Sequence, residues 1–247
     1  SRGLGDVYKR QGCGSYELIT LKGLSEIRRA EVIVYDDLID EHLLEFAPES
    51  CELIYAGKRS GRHSKAQEEI NELLVEKALE GRYIVRLKGG DPYVFGRGGE
   101  EALALKVHGI SVHEVPGVTS GIGLCGMAGI PVTHRGASRG FHVITGHTAD
   151  NLSPEVEEIR WKSYAKLDET FVFLMGLKSI DMITEKLMRY GKLSDTPVAV
   201  IHGENTDGTY VKLVGTLSDI AAKVKEVDFP SPAIIVVGEV ASLELTD

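Results

Sequence analysis

Tyr83-Ile84-Val85-Arg86-Leu87-Lys88-Gly89-Gly90-Asp91-Pro92 running into Gly96-Arg97-Gly98-Gly99-Glu100-Glu101 is the stretch whose reading decides the fold. Tyr83-Ile84-Val85 with Leu87 reads as an apolar strand. Lys88 to Pro92 then break it with two glycines and a proline. The second glycine cluster, 96–99, opens a helix predicted over about 99–107. Strand, glycine turn and helix in close succession are the repeating unit of an α/β fold.

The same stretch carries candidate chemistry. Two glycines let backbone approach a ligand without a Cβ in the way. Asp91 sits at the carboxyl end of the strand, where it can accept hydrogen bonds from an amino group or from hydroxyls. The unpaired N–H groups that begin the helix form an anion site. Arg97 adds a two-pronged donor for a carboxylate. Each glycine cluster alone reads better as an ordinary turn; their closeness is what points to a ligand site.

The pattern continues on both sides. Leu21, Leu24 and Ile27 recur at helical spacing, and 32–35 and 53–55 read as strands. A helix over about 66–79 buries Ile70, Leu73, Leu74 and Ala78 and stops at Gly81. Further strands are predicted at 112–115, 141–145, 170–174, 198–201, 210–214 and 233–237. Further helices are predicted at 120–128, 179–189 and 217–224. The fold class is therefore α/β, with mainly parallel pairing early and a mixed sheet later, where strands follow one another directly. Turn formers and basic residues crowd 130–140, which suggests two α/β lobes, 12–135 and 136–247, with an active-site cleft between them. Residues 1–11 fit poorly. Lys9-Arg10-Gln11 would be costly in a strand buried on both faces, so this segment is expected to be frayed, disordered or foreign to the natural sequence.

Composition narrows the function classes. The chain has 247 residues, 43% hydrophobic and 26% charged, which suits a globular protein with a sizeable core. No apolar run approaches the roughly 20 residues that span a bilayer, and no apolar signal core follows a basic start. Cys13, Cys51 and Cys125 form no paired motif and no zinc pattern, as expected in a reducing, cytoplasmic compartment. The net charge of -9 argues against a nucleic-acid partner. An anionic substrate would need a local basic patch. Lys58, Arg59, Arg62 and His63 cluster after 53–55, and Arg97 and Thr133-His134-Arg135 add to the positive charge.

The run Val85 to Glu101 is similar, almost residue for residue, to the signature of the uroporphyrinogen-III C-methyltransferases of the tetrapyrrole methylase family. The resemblance extends over roughly residues 12–240. It includes Thr20-Leu21-Lys22-Gly23, Val34-Tyr35-Asp36, Gly57-Lys58-Arg59, Val115-Pro116-Gly117-Val118-Thr119-Ser120, Gly129 to Arg135, Thr145-Gly146-His147, Met175-Gly176 and Pro232 to Val240. It implies a cytoplasmic homodimer that transfers methyl groups from S-adenosyl-L-methionine to uroporphyrinogen III, leaving S-adenosyl-L-homocysteine. Methylation at C2 and C7 would give precorrin-2, on the way to sirohaem or cobalamin. The positions it implies for the cofactor are Cys13, Gly89, Gly90, Asp91, Val94, Thr119, Ser120, Met175, Gly203 and Ala233. Those it implies for the substrate are Arg97, Glu100, Arg135 and His147. Asp36 would be the catalytic base and Lys58 the acid.

Read without the family, the same residues have plainer explanations. Met175 is core packing after 171–174, Lys58-Arg59 a solvated loop, and Asp36 a loop cap or an arginine's partner. The sequence also departs from the family. Its first loop reads Gly12-Cys13-Gly14-Ser15 where relatives carry proline and aspartate, and Glu204 stands near where relatives carry a cofactor-contacting glycine, a role open to Gly203 if the loop is shifted by one. Alternatives are a methylase of a later precorrin and a cofactor-binding but inactive homologue. A Rossmann-type dehydrogenase is more distant, because no GxGxxG follows a credible first strand.

Overall fold

The computed structural model describes residues 15–57, 67–146, 153–203, 210–243 and 245, and for 5–11 the backbone. Two compact units emerge, divided between Thr119 and Ser120. The predicted boundary at 135/136 lies further along. The helix Ser120–Met127, α4, packs on strands of the second sheet, and this draws the segment after Thr119 into the second unit.

The first unit holds a five-stranded sheet in the order β3-β2-β4-β1-β5. Its strands are β1 (Gly5–Gln11), β2 (Val32–Tyr35), β3 (Glu52–Tyr55), β4 (Ile84–Gly89) and β5 (Ser111–Glu114), and every pairing is parallel. Helices α1 (Leu21–Ile27), α2 (Gln67–Leu79) and α3 (Gly98–Val107) connect them. Side chains alternate across β2 and β4 with period two. Val32, Val34 and Ile84 pack with Ile70, Leu74 and Ala78 of α2 and Leu105 of α3. Ile33, Val85 and Leu87 pack with Ile27 and Leu43 on the other face. Burying each such side chain contributes about 1.5–3 kcal/mol. Thr20 starts α1 by accepting the Gly23 N–H at 3.0 Å.

Residues 5–11 form β1 rather than a frayed end, and pair with β4 on one edge and β5 on the other. The ladder is made by main-chain groups, so it can close whatever the side chains are. Without β1, β5 would have no neighbour in the sheet.

The second unit holds a mixed sheet in the order β6-β7-β10-β8-β9. Its strands are β6 (Phe141–Thr145), β7 (Thr170–Leu174), β8 (Pro197–Gly203), β9 (Tyr210–Thr216) and β10 (Ala233–Val237). Only β6 and β7 pair in parallel; β10 runs antiparallel to β7 and β8. Helices α5 (Pro154–Lys166), α6 (Ile180–Arg189) and α7 (Ile220–Glu226) complete the unit. Its core joins Phe171, Phe173, Val200 and Ile235 to Trp161, Ile183, Leu187 and Ile220. Sequence reasoning missed α5. That helix buries only Trp161 and Ala165, too thin a stripe for a periodicity argument. Its signal was Ser153 before Pro154: the serine hydroxyl accepts the Val156 N–H, and proline suits the first helical position.

Candidate active site

In the first unit the candidate residues collect at the carboxyl ends of the parallel strands, where α/β folds place ligands. Asp36 directly follows β2, Gly89 ends β4 with Gly90 and Asp91 next, and Thr119 closes the loop after β5. Cys13, Lys58 and His147 lie outside the described residues, as do Arg59, Arg62 and His63.

Gly89 has a reason internal to the fold. A Cβ there would stand 2.2 Å from the Leu38 carbonyl oxygen, so the loop after β2 can cross β4 only at a glycine. Gly90 is left-handed, with φ 83°. Asp91 ties the turn together: it accepts the Tyr93 N–H at 2.9 Å and the Gly117 N–H at 3.1 Å, which joins the loops after β4 and β5. Val94 donates its N–H to the Asp91 carbonyl at 3.2 Å. Burial raises the Glu114 carboxyl above its ordinary value, and the Asp91 charge adds to this.

Backbone strain marks the same segment. Phe95, Arg97, Met175 and Asp228 are the non-glycine residues with positive φ among those described. Three of the four fall on or beside predicted site positions, and stored strain of this kind clusters at functional sites. Arg97 and Glu100 pair with each other on the surface. The guanidinium Nε lies 3.0 Å from both carboxylate oxygens, and a terminal nitrogen 2.7 Å from one. That hydrogen bond, with Arg97's charge, holds Glu100 below the ordinary carboxylate value against the opposing effect of burial.

Asp36 belongs to a buried charge network that sequence reasoning missed. Arg86 is 2% exposed, Lys88 5% and Glu101 0%. Arg86 and Lys88 lie two apart on β4 and so share the face of Ile84, toward α2 and α3. Arg86 donates to Asp36 at 2.9 Å, to Glu101 at 3.3 Å, and to the carbonyls of Val34 and Leu87. Lys88 and Gln67 each donate to the same Glu101 oxygen at 3.2 Å. Burial raises the Asp36 carboxyl. The Arg86 and Lys88 charges, with hydrogen bonds from Arg86 and the Leu38 N–H, outweigh this and hold it below its ordinary value. Both plainer readings of Asp36, loop cap and arginine partner, are therefore realised. The overlooked signal was two cations in a strand otherwise apolar enough to be buried on both faces, since buried charges require partners.

In the second unit, Met175 follows β7, Gly203 ends β8 and Ala233 begins β10. The β7–β10 register, extended by two residues, sets Ala233 level with Met175, and Ala233 pairs with His202. These positions therefore gather at one end of three adjacent strands. Met175 is left-handed (φ 57°) and 48% exposed, after a strand that is wholly buried. It is displayed for contact rather than packed in the core. Ser120 begins α4. Arg135 is exposed in a turn closed by His134 and Ser138, and with Thr133 and Arg139 it lines an open depression of about 520 Å³. Of the unusual first loop, Ser15 is buried and caps the turn Tyr16–Leu18 by accepting the Glu17 N–H at 3.3 Å. A serine fills that role as well as an aspartate does.

Strand-end glycine turns, a fixed carboxylate beside β4 and an α/β frame with a second mixed sheet define a class, and the chain belongs to it. Residues 11–221 match the Tetrapyrrole (Corrin/Porphyrin) Methylases. The chain is 49% identical over 234 residues to the uroporphyrinogen-III C-methyltransferase of Methanocaldococcus jannaschii, covering 94% of each chain. It is 48% identical over 232 residues to the S-adenosyl-L-methionine-dependent uroporphyrinogen III methyltransferase of Methanosarcina barkeri, covering 94% of this chain and 90% of that one. A crystal structure of uroporphyrin-III C-methyltransferase from Thermus thermophilus, complexed with S-adenosyl homocysteine, superposes with a TM-score of 0.78 at 34% identity. That match covers 96% of this chain and 93% of the other.

Proposed function

We infer that this chain is an S-adenosyl-L-methionine-dependent C-methyltransferase acting on uroporphyrinogen III. The observation that carries this reading is near-half identity to uroporphyrinogen-III C-methyltransferases over almost the full length of both chains. The residues present suit the methyl donor. Asp91 is fixed at the end of β4 by the Tyr93 and Gly117 N–H groups, and a carboxylate is the acceptor that an amino group or hydroxyls require. Met175 offers an exposed thioether for apolar contact. When bound, the donor supplies an electrophilic methyl group on a sulfonium.

We assign the chain's own residues as follows. Gly89, Gly90, Asp91, Val94, Thr119, Ser120, Met175, Gly203 and Ala233, with Cys13, hold the donor. Arg97, Glu100, Arg135 and His147 face the polycarboxylate macrocycle, and Arg97 turns from Glu100 to a substrate carboxylate. Asp36 accepts the proton that the macrocycle sheds after a ring carbon has gained a methyl; Lys58 returns a proton elsewhere on the ring. Holding the two reactants in line offsets several kcal/mol of the barrier. Two rounds, at C2 and C7, give precorrin-2 for sirohaem or cobalamin synthesis. The family resemblance also supports a cytoplasmic homodimer, which size-exclusion chromatography with light scattering tests. Among the described residues no helix is long and apolar enough to cross a membrane.

The test is direct. Purified protein with S-adenosyl-L-methionine and uroporphyrinogen III should yield a doubly methylated product by mass spectrometry. A protein that binds the donor and transfers no methyl group refutes the assignment.

A further inference from the structure

We propose that Lys88 and Glu101 are positioning residues for the methyl transfer, acting through Arg86 to fix the Asp36 side chain at the carboxyl end of the first sheet. The proposal rests on the reading of Asp36 as proton acceptor.

Among the described residues the geometry joins four charges, two of each sign. The β2–β4 register pairs Val34 with Arg86, so Asp36, two residues on, is level with Lys88. Arg86 is held on all sides. One terminal nitrogen is bound by the carbonyls of Val34 and Leu87, Nε by Glu101, and the other terminal nitrogen is presented to Asp36. Glu101 is in turn held by Lys88 and by Gln67 at the start of α2. Side-chain exposure is 3% for Arg86, 6% for Lys88 and 0% for Glu101, against 20% for Asp36. Asp36 is thus the open end of an otherwise buried network. Among the described residues its neighbours include the Leu38 N–H, which donates to it, and Asp37, which accepts the hydroxyl of Tyr55 on β3.

Charge balance gives each member a consequence. Removing Lys88 leaves two carboxylates with one cation, so a proton is taken up more readily, and Asp36 is the group that solvent reaches. Removing Glu101 leaves two buried cations with a single carboxylate, which draws Asp36 inward and away from its working position. A buried ionic layer is also a poor way to gain stability, since apolar residues of similar volume do as well or better. The arrangement makes sense if what it delivers is the charge and orientation of Asp36.

The experiment uses Lys88→Met, Glu101→Gln and the charge-balanced double variant of the full chain. It reads kcat and KM against pH, together with a carbon-13 NMR titration of the aspartate carboxyls, with Asp36 assigned through Asp36→Asn. Lys88→Met should move the Asp36 titration and the acidic limb of kcat to higher pH. Glu101→Gln should move both to lower pH. Each single variant should lower kcat by about tenfold to a hundredfold, the scale of a misplaced catalytic group, with KM little changed. The double variant should recover part of that loss, a non-additive cycle. Wild-type kcat and an unmoved Asp36 titration in Lys88→Met, or a double variant as poor as the product of the singles, overturns the proposal. If Glu101→Gln does not fold, Lys88→Met and the double variant still decide it. Asp36→Asn separates the two levels. Full activity in that variant removes the proton-acceptor reading and the proposal with it. Loss of activity there, alongside a wild-type pH profile in Lys88→Met, removes the positioning proposal alone.

Discussion

Gly89→Ala separates two explanations of one glycine. If the residue is small to admit a ligand, an alanine should weaken cofactor binding and leave the fold alone. The structure gives a different reason. The new Cβ would stand 2.2 Å from the Leu38 carbonyl oxygen, 2.9 Å from the Leu38 Cβ and 3.0 Å from its carbonyl carbon. Two of these contacts are backbone, which cannot rotate away. Relief requires the 36–40 loop or β4 to shift, and overpacking of this kind costs about 1–3 kcal/mol. The reduced freedom of the unfolded chain returns only about 0.4–1 kcal/mol. The net cost centres on about 1.3 kcal/mol, and at roughly 2–4 °C per kcal/mol for a chain of this size the melting transition should fall by about 3–5 °C, and by no more than about 10 °C. Differential scanning calorimetry is the assay, because two units can unfold in separate steps that a single optical probe would merge. Gly99→Ala is the control: nothing lies within 4 Å of where its methyl group would stand in α3, so its melting temperature should match or exceed the parent's. The reasoning is refuted if Gly89→Ala melts like the parent while its affinity for S-adenosyl-L-methionine, measured by titration calorimetry, collapses.

Gly146→Ala should be at least as damaging in the second unit, because its Cβ would meet the Gly176 Cα at 2.2 Å; a melting temperature within a degree of the parent's would contradict this. Thr20→Ala removes the hydroxyl that caps α1 and should cost about 1 kcal/mol in urea unfolding, with Thr20→Ser recovering most of it. His42 should titrate above the ordinary histidine value, because Asp40 hydrogen-bonds its ring and adds its charge. Asp40→Asn should bring the NMR midpoint back down. The sign for stability follows: this pair contributes below the ordinary histidine value, and its contribution is lost as pH rises through the raised one.

The α/β class, the glycine turns after β4 and the family were all legible from local pattern and motif. Period-two and helical spacings are imposed by burial, and burial leaves its trace directly in residue order. The helices 21–27, 67–79 and 180–189 and the buried strands were readable for that reason. The helix 154–166 was not, because its buried stripe is only two residues wide. The edge between the units was misplaced because the turn-rich 130–140 segment resembles a linker, whereas packing of α4 on the second sheet settles the division at Thr119/Ser120.

What the sequence alone determined, then, is the kind of protein this is: the stretch Val85 to Glu101 carries both a strand–turn–helix unit and a family signature in one continuous run. Only the tertiary structure decided what that run does. It assigned Gly89 to the Leu38 loop, paired Arg97 with Glu100, made β1 from residues too polar to predict as a strand, and joined Arg86, Lys88 and Glu101 to Asp36 fifty residues earlier. The physical reason is that motifs are written along the chain, whereas charge partners and steric neighbours are set by strand order. Here β4 inserts between β1 and β2, and no spacing within the sequence announces that.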